Sequence, residues 1–106
     1  MHVEWVRDFC LSLEDVEECQ PFGPENLVYK IKGKMFLLIS LEDIPPRINV
    51  KTDPDKSLDL REAYPENILP GYHMNKKHWN TLVLNTRLSM SLVQELIIES
   101  YQLVKK

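Results

Sequence analysis

Glycine is scarce in this chain: Gly23, Gly33 and Gly71 are the only three in 106 residues. Loops that cradle phosphate with backbone N–H groups need several glycines close together, so a nucleotide-binding loop of that kind is excluded. Cysteine is scarce too. Cys10 and Cys19 stand alone, and their spacing matches neither a zinc site nor a redox motif; reduced, structural thiols fit best. No apolar run approaches the ~20 residues that span a bilayer. The start, Met1-His2-Val3-Glu4, lacks the basic segment and following apolar segment of a secretory signal. A cytoplasmic protein with no membrane partner is expected. G-x-S-x-G, H-E-x-x-H and C-x-x-C are all missing, so neither an enzyme nor a cofactor is expected.

What is present suits one soluble domain spanning residues 1–106, expected to be a monomer. Apolar residues make up 43% and charged residues 27%, ordinary values for a globular fold. A chain of this length buries enough surface for one core without metal or disulfide staples. The net charge is −3, which argues against a surface coated in nucleic acid. Its distribution is uneven. Residues 1–25 carry seven acids against Arg7 alone. Residues 26–51 carry Lys30, Lys32, Lys34, Arg47 and Lys51 against Glu42 and Asp43, and residues 70–90 carry Lys76, Lys77 and Arg87 with no acid. A near-neutral total can therefore hide a basic face and an acidic one.

Periodicity gives the elements. Trp5, Val6, Phe9, Cys10 and Leu13 recur at helical spacing and predict a helix over 2–13. The acidic run 14–18 and the turn Pro21-Phe22-Gly23-Pro24 follow. Residues 27–32 alternate with period two, Gly33-Lys34 suits a tight turn, and 35–41 is a continuous apolar run; together they predict a β-hairpin. Arg47-Ile48-Asn49-Val50-Lys51 alternates again. Asp53-Pro54 is an N-cap followed by proline at the first helical position, and Leu58, Leu60 and Tyr64 support a helix over 54–64. Residues 65–78 look irregular, with one helical turn near Asn75. Residues 79–84 suit a strand. A last helix over 89–105, capped by Ser89 or Ser91, carries the stripe Leu92, Val93, Leu96, Ile97, Ser100, Tyr101 and Val104. The fold class expected is α+β: an antiparallel sheet with the N- and C-terminal helices on one face.

The segment Pro70-Gly71-Tyr72-His73-Met74-Asn75-Lys76-Lys77-His78-Trp79-Asn80-Thr81 concentrates two His, two Lys, a Tyr and a Trp. Cations beside aromatics suit an anionic or flat partner. The same residues also suit structural work as turn, cap and sheet anchor. His73 and His78 lie five apart with no Cys, Asp or Glu nearby, which is poor metal-ligand spacing, so no metal is expected. With this block, the turn Pro21-Phe22-Gly23, the hairpin 29–36, the strand 47–51 and the tail Ser100-Tyr101-Gln102-Leu103-Val104, the chain resembles the MmcQ/YjbR family along nearly its whole length. The resemblance implies a CyaY-like (frataxin-like) α-β-sheet-α sandwich and DNA binding through a double-wing arrangement. The acidic balance of this chain departs from that expectation.

Two binding hypotheses follow. If helices cover Tyr29, Ile31, Ile48 and Val50, then alternation puts Lys30, Lys32, Arg47, Asn49 and Lys51 on the open face. In the first, Lys30, Lys32, Arg47, Lys51, Lys76 and Lys77 contact phosphate of DNA, with Tyr72, His73 and Trp79 beside them. In the second, the same face docks an unidentified protein or small ligand, with Trp79 as anchor. The bland alternative for these cations is solvation of an open sheet. The acidic stretch Glu4, Asp8, Glu14, Asp15, Glu17 and Glu18 corresponds by fold analogy to the iron-associated carboxylates of frataxins; a solvated acidic surface is the expectation here.

Overall fold

A computed structural model describes residues 3–71, 74–85 and 87–106. In chain order the elements are α1 Val3–Leu11, β1 Glu17–Cys19, β2 Asn26–Ile31, β3 Lys34–Ser40, β4 Arg47–Lys51, α2 Pro54–Ala63, β5 Ile68–Pro70, β6 Trp79–Val83 and α3 Met90–Lys105. The strands form one six-stranded sheet in the order β1-β2-β3-β4-β6-β5, with every neighbouring pair antiparallel. The α+β expectation therefore holds.

Alternation decides which side of the sheet is covered. Tyr29, Ile31, Leu37, Ile39, Ile48, Val50 and Leu82 join one core cluster with Val6 and Cys10 of α1, Leu60 of α2 and Val93, Leu96 and Ile97 of α3. All three helices thus lie on one face. Phe9 packs against the same cluster, and its ring stacks on Trp5 with centroids 5.7 Å apart. Val28 and Val83 are buried as well, but outside that cluster, on the opposite side of their strands.

The apolar run 35–41 does not alternate cleanly because β3 carries a bulge at Phe36, where the β2–β3 register slips by one residue. The extra residue puts both Phe36 and Leu37 under the helices, where Phe36 meets Tyr101 edge-on at 5.4 Å. The bulge leaves ladder groups unpaired, and α3 supplies their partner. Ser100 Oγ accepts from the Lys51 N–H at 2.8 Å and donates to the Phe36 carbonyl at 2.5 Å.

Three local expectations need correction. Lys32 is not on the strand: Lys32 and Gly33, at φ 53° and 77°, form the two-residue hairpin turn, and β3 starts at Lys34. A turn with both central residues left-handed matches strand twist, and glycine serves the second position without strain. Leu58 is not part of the buried stripe of α2; it is 64% exposed, and α2 buries Ser57 and Leu60 instead. Residues 65–78 include a strand, β5, which hydrogen-bonds to β6. The caps are as expected: Asp53 accepts from Asp55 N–H and Lys56 N–H, and Ser89 from Leu92 N–H. Cys10 is buried, Cys19 is half-buried, and both are free thiols. Among the described residues no helix is long and apolar enough to cross a membrane.

The acidic stretch is used structurally at one point. Glu18 on β1 receives a two-pronged ion pair from Arg7 of α1, at 2.8 and 3.0 Å, and a hydrogen bond from the Tyr29 hydroxyl at 2.5 Å. The Arg7 bond first, and then the Tyr29 bond, hold the Glu18 carboxyl below its ordinary value of 4.5. The folded state therefore binds this proton less readily than the unfolded chain. Its stabilisation is complete above the ordinary carboxylate pKa and is lost as pH falls through that value toward the lower folded one. In urea titrations across acid pH, Glu18→Gln should be less stable than the parent at pH 7 and should show a shallower loss of stability below pH 4.5. Equal acid slopes would contradict the role. Ser100→Ala leaves the Phe36 carbonyl and the Lys51 N–H without their partner; about 1–3 kcal/mol of stability should be lost in denaturant unfolding.

Candidate functional site on the helix-free sheet face

Since Ile48 and Val50 face the helices, Arg47, Asn49 and Lys51 face the other way. Register builds this face in cross-strand rows. One row runs Val28–Leu38–Asn49–Thr81 and the next Asn26–Ser40–Arg47–Val83. Neighbouring rows on one face lie about 7 Å apart along the strands, and neighbouring strands ~4.8 Å apart.

Over these rows lies a cavity of about 520 Å³. Its floor is Leu38, Asn49 and Thr81, with Asn26, Ser40 and Arg47 toward one end. Phe22 and Glu25 wall it from the β1–β2 loop, Glu42 and Asp43 from the β3–β4 loop, and Met74 from the segment before β6. Thr81 and Asn49 are buried, and the Thr81 hydroxyl donates to Asn49 Oδ1 at 2.6 Å, which fixes both side chains in the floor. The volume falls in the range of small-molecule sites, which combine an apolar lining with a few placed polar groups.

The expected binding residues do not form one patch. Arg47 is exposed and belongs to the cavity. Lys51 and Trp79, half-buried, pair across β4 and β6 at the opposite end, roughly 13 Å away along the strand. Lys30 is half-buried beside Glu17 and Met35, away from Arg47. Lys76 and Lys77 are exposed in the turn that leads into Trp79. Lys32 projects from the hairpin turn and is not part of the face. Tyr72 and His73 lie outside the described residues.

The turn into β6 is built with some care. Asn75 Oδ1 accepts from the Lys77 N–H at 2.9 Å, and the Asn75 carbonyl from the Trp79 N–H at 2.9 Å. Arg61 reaches across from α2. It donates to Asn80 Oδ1 at 2.7 Å, to the Trp79 carbonyl at 3.2 Å and to the Lys76 carbonyl. Asn80, fully buried, also donates to Ser57 at 2.9 Å. Gly71 is required here because a Cβ would lie 2.9 Å from the Trp79 Cβ. Sequence reasoning missed Arg61. The clue was its i,i+4 spacing from Ser57, which places both on one helix face, but polar residues give no apolar stripe to notice.

Cation chemistry has little to work with. Among the described residues no three His, Cys, Asp or Glu side chains converge on a point that would hold a metal ion. Burial pushes the Cys10 thiol up to about 12, so this buried cysteine is not a nucleophile at neutral pH.

The chain is similar to known proteins in sequence and in fold. The YjbR family model matches residues 11–103. The Escherichia coli O157:H7 protein YbdF is 48% identical over 101 residues, covering 95% of this chain and 82% of its own length. The crystal structure of a Deinococcus radiodurans protein superposes with a TM-score of 0.94 at 40% identity, covering 98% of this chain and 78% of that one. A Pseudomonas syringae protein superposes with a TM-score of 0.81 at 27% identity, over 98% of this chain and 99% of its own. With a family model spanning most of the sequence and a relative nearly half identical along it, the chain belongs to the YjbR family.

Proposed function

We propose that the protein is a non-enzymatic binding domain that holds a small polar ligand in the cavity on the helix-free face of its sheet. The carrying observation is the cavity itself: about 520 Å³ over a hydrogen-bonded strand floor, with Asn49 and Thr81 locked together in it. Rigid floors with loop walls are where ligand-contacting groups concentrate. The mouth carries Glu25, Glu42 and Asp43 beside Arg47, a mixture of signs rather than a basic field. That mixture supports docking of a polar molecule over wrapping of a phosphate backbone.

A second reading, DNA binding, draws on the other end of the face. Exposed Lys76 and Lys77 precede a half-buried Trp79 there, with Lys51 across the ladder. Those groups suit phosphate contact and base stacking. The three carboxylates at the cavity mouth would repel a duplex laid along the whole face.

The two readings separate in solution. Titration with a fragment library of neutral, anionic, cationic and zwitterionic molecules, followed by amide NMR shifts, should move Leu38, Ser40, Asn49 and Thr81 together. Leu38→Trp, which fills the floor, should abolish those shifts while the fold persists. No fragment reaching these amides at millimolar concentration contradicts the cavity reading. Anisotropy with duplex DNA at low salt should show no binding that Lys76→Glu with Lys77→Glu removes; a salt slope of roughly −0.9 per phosphate contact, lost in that variant, would establish the DNA reading instead.

A further inference from the structure

We infer that the ligand of this cavity is a small zwitterion with an apolar body, of about dipeptide size, its carboxylate held by Arg47 and its ammonium by Glu25, Glu42 and Asp43. The inference rests on the cavity reading above and narrows it to a chemical class.

Four formal charges line one cavity, and among the described residues none of them is spent on a neighbour. The ion pairs among the described residues are Arg7–Glu18, Lys56–Glu95, Lys56–Glu99 and Arg87–Glu66; Arg47, Glu25, Glu42 and Asp43 take part in none. Glu18, by contrast, shows what this fold does with a carboxylate it uses internally: it is doubly bonded by Arg7 and again by Tyr29. The cavity charges therefore remain open to an incoming partner.

Their placement sets the pattern of that partner. Arg47 stands on the strand floor, in register with Ser40 and Val83. The carboxylates stand on the two loops that flank it: Glu25 just before β2, and Glu42 and Asp43 just after β3. Asn26, Ser40 and Arg47 share one row, so the Glu42–Asp43 wall, which follows β3, lies about one strand spacing from the Arg47 strand, and the Glu25 wall, which precedes β2, lies about two, a gap of about 10 Å. A dipeptide, at about 3.5 Å per residue plus the reach of side chains, spans that gap. A purely anionic ligand would meet three carboxylates. A purely cationic one would cover Arg47 and leave its charge desolvated without a partner, which is costly. Charge of both signs on the ligand answers both problems, and the wrong-sign groups act against simpler ions. Phe22, Leu38 and Met74 supply apolar lining for the body between the charged ends.

The test uses the dipeptide Ala-Leu as probe, with N-acetyl-Ala-Leu and Ala-Leu-amide as controls, followed by amide NMR titration of the full chain. The free dipeptide should bind at least tenfold more tightly than either blocked form. Arg47→Gln should erase the advantage over the amide and leave the amide's affinity unchanged. Glu42→Gln with Asp43→Asn should erase the advantage over the N-acetyl form. These changes lie on an exposed strand position and a loop, so the unperturbed amide spectrum of the core is the check on folding. Binding of the amide or the N-acetyl form as tight as the parent overturns the inference in favour of a cation or an anion site. Neutral fragments that bind the cavity when no dipeptide does also overturn it, yet leave the cavity reading intact; if nothing binds, both fall.

Discussion

Alternation along β4 is the constraint on which the rest depends. Ile48 and Val50 must enter the core with α1 and α3, and a strand has only two sides. Arg47, Asn49 and Lys51 are thereby sent to the face the helices do not cover. A one-residue slip would put the cations in the core and the apolar pair in water, so the register is strongly enforced. The same pairing carries Asn49 to Thr81 and Arg47 to Val83, and so composes the cavity floor. The site is thus a by-product of core formation and inherits its rigidity.

The two ends of the exposed face differ in how they are held. At the Trp79 end, Arg61 spans from α2 to two carbonyls and to the buried Asn80, and Gly71 lets its backbone close on Trp79. Charge-assisted hydrogen bonds of this kind are stronger than neutral ones, which fits a structural role for much of the 75–80 segment. At the Arg47 end the walls are loops, with Phe22 and Ile44 exposed to 61% and 96%. One end is locked from the helix side; the other presents unspent charge and apolar surface. The contrast is why the cavity end, rather than the richer-looking cluster of Lys and Trp, carries the functional reading.

Much of the fold was legible because long elements declare their period. The stripe of α3, the alternation of 47–51 and the pairing of the two strands of the hairpin, though not its turn, follow the sequence pattern. β1 and β5 were not legible, since three residues hold too little alternation to register, and β1 spends two of its three on glutamate. The Phe36 bulge was hidden inside an apolar run that looks the same with or without it. The error at Lys32 came from placing the turn one residue late: Gly33 marks the second turn position, not the first. The cavity was beyond sequence reasoning for a different reason. Phe22, Leu38, Asn49, Thr81 and the acids at 42–43 are distant in the chain, and only sheet register and the packing of two loops bring them together. Arg47 is legible from its charge on an alternating strand; Glu25, Glu42 and Asp43 are not, because only the packing of two loops brings them to the same cavity.

The central claim is that the helix-free face holds a preformed, polar cavity rather than a flat or collapsed surface. A high-resolution crystal structure of the protein tests it most directly. The account expects the 20–25 and 41–46 loops to stand apart over Leu38, Asn49 and Thr81, with the Thr81–Asn49 hydrogen bond intact and solvent or ligand between the walls. Loops folded down so that Phe22 fills the space above Leu38 would contradict it.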